Sequence, residues 1–138
     1  MDWTQRILVT RTLAMPADTN PRGDIFGGWI VSLMDISVAA MSSRFARGLT
    51  ATRAIRQVLF DRPIFVGDEI SVYVKLENVG HTSMTFEVDV TVQRSGLEEE
   101  LPAVRGTFIM VALDKNRRPR RVNCCELPHH QGETKGRC

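Results

Sequence analysis

At 138 residues the chain is about one domain's worth of polypeptide, long enough to bury a sizeable core without disulfides or a structural metal. Its composition, 43% apolar and 25% charged with few aromatics, is that of an ordinary soluble globular protein. A net charge of +2 is too small for nucleic acid to be a whole-surface partner, so any basic role must come from a local cluster.

In chain order, Arg6 to Leu13 reads as a short strand with Ile7 and Val9 on one face and Thr10 and Thr12 among its polar positions. Met15 to Asp24 is a loop dense in Pro, Asp, Asn and Gly. Gly27-Gly28 closes it, and a long apolar segment runs from Trp29 to about Arg47, with Gly48 as a C-terminal stop. A helix of that length measures roughly 30 Å and, being apolar nearly all round, must be covered on most sides. Residues Ile25 to Ser43 carry one charge, Asp35, which approaches spanning length. A central Asp costs roughly 2.5–3.5 kcal/mol on insertion, and the downstream strands need an apolar partner, so a buried helix is expected and a membrane span is not.

Ala54 to Phe60 is a strand ended by Asp61-Arg62-Pro63. Ile70, Val72, Val74 and Leu76 alternate with polar residues; after a Gly80-His81 turn, Met84, Phe86, Val88, Val90 and Val92 do the same. This period of two marks a half-buried antiparallel hairpin. Ser95 to Pro102 reads as an acidic loop, and Ala103 to Leu113 as a more continuously apolar and therefore central strand. Asp114-Lys115-Asn116 turns the chain into a basic stretch, and from Glu126 the polar tail is expected to be disordered. One early helix and at least five mostly antiparallel strands make an α+β domain over 1–125, followed by a tail over 126–138.

Asp35 is the residue most suggestive of chemistry. It is the helix's lone acid, among Leu33, Met34, Ile36 and Val38. It either joins Ser32 and Ser42 on a solvated stripe or is held in a site, where an unpaired carboxylate is kept for function. Gly27-Gly28 is either a tight loop-to-helix turn or a place where a ligand approaches the backbone and free N–H groups meet a developing oxyanion. Arg62 is a phosphate contact or a structural strand end. Lys115, Arg117, Arg118, Arg120 and Arg121 put five cations into seven residues, as an anion-binding cluster or a solvated surface run. The cysteines Cys124, Cys125 and Cys138 form neither a disulfide framework nor a zinc site, and the absence of a secretory segment points to the cytoplasm. No histidine (His81, His129, His130) lies near Asp35 in the chain.

The run from Thr12 through Asn20-Pro21-Arg22-Gly23-Asp24-Ile25-Phe26-Gly27-Gly28-Trp29 to Met34-Asp35 resembles the YciA-like hotdog acyl-CoA thioesterases. Arg62-Pro63-Ile64, Val66-Gly67-Asp68 and Gly80-His81-Thr82-Ser83 agree in order and spacing, so the likeness runs from about Arg11 to Arg121. It implies a hotdog fold, an antiparallel sheet wrapped around one long central helix, and hydrolysis of acyl-CoA thioesters. By the same resemblance, Asp35 is the catalytic carboxylate, Gly28 offers its backbone N–H to the thioester carbonyl, and Asn20 arrives from another subunit's loop. Gly27, Arg62, Thr82, Ser83, Arg117, Arg118 and Arg120 become substrate-binding candidates, the arginines toward CoA phosphates. A homodimer, assembled into a hexamer as a trimer of dimers, is implied. No cofactor and no metal are implied, since CoA is part of the substrate and product. The sequence departs from the family at Ile55-Arg56-Gln57, where relatives tend to carry an acid near Arg56. Asp35 can act as general base on water or as a nucleophile forming a mixed anhydride. A non-catalytic acyl-CoA-binding or regulatory domain is the alternative. A nucleic-acid binder is disfavoured because the basic run has no interleaved aromatics.

Overall fold

The computed structural model describes residues 1–122. They form strand β1 (Ile7–Leu13), helix α1 (Gly27–Ala46) and strands β2 (Thr50–Phe60), β3 (Glu69–Val79), β4 (Ser83–Gln93) and β5 (Leu101–Ala112). The strands join one sheet in the order β1-β3-β4-β5-β2, each neighbouring pair antiparallel. α1 touches every strand, so the sheet wraps the helix as the resemblance implies. No helix among the described residues is long and apolar enough to cross a membrane. The expectation for the tail, and all three cysteines, lie outside the described residues.

The core follows from the two periods of the sequence. On β3 and β4 the inward residues Ile70, Val72, Val74, Leu76, Met84, Phe86, Val88, Val90 and Val92 are buried. Against them α1 presents Ile30, Met34, Val38, Met41 and Phe45, spaced three or four apart on one helical face. Each such side chain contributes about 1.5–3 kcal/mol by leaving water.

Several boundaries differ from the sequence reading. β5 is an interior strand, but β4 holds the centre of the sheet, and Leu101 and Pro102 belong to β5 rather than to the preceding loop. A bulge between Leu8 and Thr10 turns the Thr10 hydroxyl inward, where it meets Ser37 Oγ at 2.8 Å. β2 starts at Thr50, four residues earlier than expected. The helix ends with Arg47, not Gly48, in the left-handed conformation (φ 55°).

Two local devices fix the ends of α1. The loop before the helix is pinned by backbone bonds Ala14 to Asp68, Gly67 to Ala14 and Ile25 to Ile64. Asp68, itself buried, accepts the Phe65 N–H and the Arg94 guanidinium, and Arg94 also donates to the Pro63 carbonyl. After β5 the chain turns at Asp114, whose carboxylate accepts the N–H groups of Asn116 and Arg118, and doubles back until Val122 is buried in the core.

Candidate functional site

The sheet covers one side of α1 and leaves a stripe of Gly28, Ser32, Ile36 and Ala40 exposed, with Asp35 half-buried at its edge. Seven residues are close to two full turns, so Gly28 and Asp35 lie on the same side about 10 Å apart along the axis. The Thr52 hydroxyl donates to Asp35 Oδ1 at 2.6 Å. A bond this short to a carboxylate is charge-assisted and fixes the acid's rotamer. Two residues earlier on β2, Thr50 Oγ1 meets Ser42 Oγ at 2.8 Å and Ser43 Oγ at 3.1 Å. The polar face expected of Asp35, Ser32 and Ser42 is thus divided: Ser32 shares the open stripe, whereas Ser42 is buried in that hydroxyl cluster.

At the start of α1 the N-cap is Phe26, which makes no side-chain capping bond, and the first turn carries no acid. The Gly27 and Gly28 N–H groups donate to no acceptor among the described residues, while the Phe26 carbonyl takes the N–H of Trp29 and of Ile30. Two half-exposed phenyl rings flank the glycines. A Cβ on Gly27 would stand 3.5 Å from the Phe60 ring, and one on Gly28 would stand 2.8 Å from the Phe26 ring. Both positions have ordinary helical backbone, so close approach of a ring, not left-handed geometry, favours glycine at Gly28.

The remaining candidates divide between the two ends of α1. Asn20 turns the preceding loop: its Oδ1 accepts the N–H of Arg22 and Asp24, and no hydrogen bond joins it to Asp35 within the chain. Arg62 donates to the Pro102 carbonyl at 2.6 Å, a structural engagement. At the far end, the Thr82 carbonyl accepts the Ala112 N–H and the Ser83 carbonyl accepts the Gly80 N–H. Arg117 and Arg118 sit on the exposed turn, but Arg120 is engaged by backbone, donating to the carbonyls of Ala46, Leu113 and Arg121. Arg120 therefore closes the helix C-terminus. The structure brings Thr82, Ser83 and the basic run together there, about 16 Å along the axis from Asp35.

Among the described residues no cluster of three or more His, Cys, Asp or Glu is placed to hold a metal ion. The groups pushed off their ordinary titration lie on the sheet's far face. Burial, then Glu77, raises Glu87; burial, then a hydrogen bond to Glu100, raises Tyr73. Thr52 is the residue that sequence reasoning missed. β2 also forms one edge of the sheet, and Phe26, Ile36, Ile55 and Phe60 are exposed large apolar residues around the stripe.

Residues 22–99 match the model of the thioesterase superfamily. The acyl-CoA thioester hydrolase YciA of Salmonella typhimurium is 41% identical over 116 residues, covering 82% of this chain and 87% of that protein. An acyl-CoA thioester hydrolase of Haemophilus influenzae is 40% identical over 119 residues, covering 84% of this chain and 77% of its own. The crystal structure of a hexameric thioesterase from Yersinia pestis superposes with a TM-score of 0.80 at 39% identity, over 85% of this chain and 95% of that one.

Proposed function

The chain belongs to the thioesterase superfamily, and on that premise we propose that it hydrolyses acyl-CoA thioesters to a free fatty acid and CoA. The observation that carries the reading is the pairing, on one side of the helix, of a carboxylate held by Thr52 with glycine amides that have no acceptor among the described residues. Thioester hydrolysis needs both: a group to deliver the nucleophile and a donor for the oxyanion.

In the general-base route Asp35 takes a proton from water as its oxygen attacks the thioester carbon. The charge gathering on the carbonyl oxygen meets the Gly28 N–H. Collapse of the tetrahedral species breaks the C–S bond, and the proton held by Asp35 passes to the departing CoA sulfur. In the covalent route the Asp35 carboxylate attacks the carbonyl carbon directly, and the C–S bond breaks to release CoA as a thiolate that takes its proton from solvent water. A further water opens the mixed anhydride to the free acid and Asp35. Thr52 serves either route by keeping the carboxylate in one rotamer. Gly27 lets the chain approach, and Arg117 and Arg118 supply exposed cations for CoA phosphates at the other end of the stripe.

The working unit is a homodimer, and three dimers make the hexamer. Its support is the apolar stripe and the sheet edge that none of the described residues covers or pairs, and in that dimer Asn20 would reach Asp35 from the second chain. Light scattering that finds a fully active monomer would sink this assembly.

The deciding experiment measures free thiol released from short, medium and long acyl-CoAs by the wild type and by Asp35→Asn. Turnover by the wild type, lost in the variant while a non-hydrolysable CoA analogue still binds, is the expected result. Binding without turnover in the wild type would instead make the chain a non-catalytic acyl-CoA-binding domain.

A further inference from the structure

We propose that Phe26 is a positioning residue of the thioester site, an apolar N-cap that keeps the Gly28 amide unoccupied until substrate arrives. The inference rests on the thioesterase reading and concerns a residue outside the catalytic set given above.

Helix N-termini favour Asp, Asn, Ser or Thr at the N-cap because a side-chain oxygen can satisfy the N–H two or three residues on. From Phe26 those amides are Gly28 and Trp29. Phenylalanine has no acceptor, so the side chain leaves Gly28 without a partner, and no first-turn acid substitutes. The polar residue just upstream, Asp24, has its backbone tied into the Asn20 turn and carries no capping bond to the helix. Meanwhile the Phe26 ring rests against Gly28 and the Phe60 ring against Gly27. The two rings set apolar surface, with no hydrogen-bonding group, beside the two glycines whose amides would meet a developing charge. A better cap would stabilise the helix by placing an oxygen on the same N–H that the substrate requires. The position is therefore one where helix stability and turnover oppose each other.

Phe26→Asn tests this, since it adds a neutral capping oxygen, with Phe26→Leu as the apolar control. In the wild type and in Phe26→Leu the Gly28 amide should exchange rapidly with solvent deuterium, and kcat should agree within about threefold. In Phe26→Asn that amide should become protected, Tm should rise by roughly 2–5 °C, and kcat should fall about 5- to 30-fold, no more than displacing such a cap from the amide costs. KM should move far less than kcat, which a general packing defect would not produce. A protected Gly28 amide in the wild type, Phe26→Asn with a raised Tm and an undiminished kcat, or Phe26→Leu losing as much kcat as Phe26→Asn each overturns the proposal. A wild type that hydrolyses no acyl-CoA overturns the thioesterase reading itself, and this role with it; an active wild type with an indifferent Phe26→Asn overturns this role alone.

Discussion

At its C-terminal end α1 is closed on several sides: Arg120 caps the Ala46 carbonyl, Arg47 takes the left-handed turn, and Trp3 packs edge-on to Phe45 with ring centroids 5.3 Å apart. At its N-terminal end the cap is apolar, two amides have no acceptor among the described residues, and two phenyl rings stay half-exposed. The same helix thus carries stabilising contacts at one end and unsatisfied donors at the other. Groups that would lower the energy of the free protein are withheld beside the reacting thioester, where a substrate must supply them, and concentrated at the end away from the chemistry.

The comparison breaks if substitutions at the two ends affect the same quantity. The largest expected effect is on rate: Asp35→Asn should lower kcat by about 10²–10⁴-fold while Tm holds or rises, read by thiol release and thermal denaturation. Next is Trp3→Ala, which empties a buried aromatic site and should cost about 3 kcal/mol in a denaturant titration, with kcat kept at low temperature. Arg120→Met removes charge-assisted bonds to three carbonyls and should cost about 2 kcal/mol. Arg118→Met beside it should leave Tm unchanged and raise KM for acyl-CoA, but not for a pantetheine thioester lacking the nucleotide. If the two arginine variants exchange these behaviours, Arg120 is a phosphate ligand after all. The smallest effect sharpens the picture: Thr52→Val keeps the shape of the side chain, removes its bond to Asp35, and should lower kcat about tenfold with little change in Tm.

The hairpin of β3 and β4 was legible in the sequence through its alternation, and the long helix through its apolar run ending at Gly48. Asp35 and the glycines stood out for the same reason, as exceptions inside an apolar run. Thr52 did not, because β2 is interrupted by register shifts at Thr52/Ala54 and Arg56/Leu59, and Gln57 adopts a left-handed φ of 49°. Those bulges break the alternation that would have placed Thr50 and Thr52 on the helix side. Arg120 looked like its neighbours in a basic run; its distinguishing partner, Ala46, lies 74 residues earlier in the chain. For Asn20 the intrachain bonds account only for the shape of its loop, since its proposed role belongs to an assembly.

The chain has two tryptophans, and α1 separates them: Trp3 is buried against Phe45 at one end, while Trp29 is half-buried in the first turn beside Gly28. Intrinsic fluorescence can therefore report on the two ends independently. With Trp29 replaced by Phe, the remaining emission should follow unfolding and ignore acyl-CoA; with Trp3 replaced by Phe, it should respond to ligand before the sheet begins to melt.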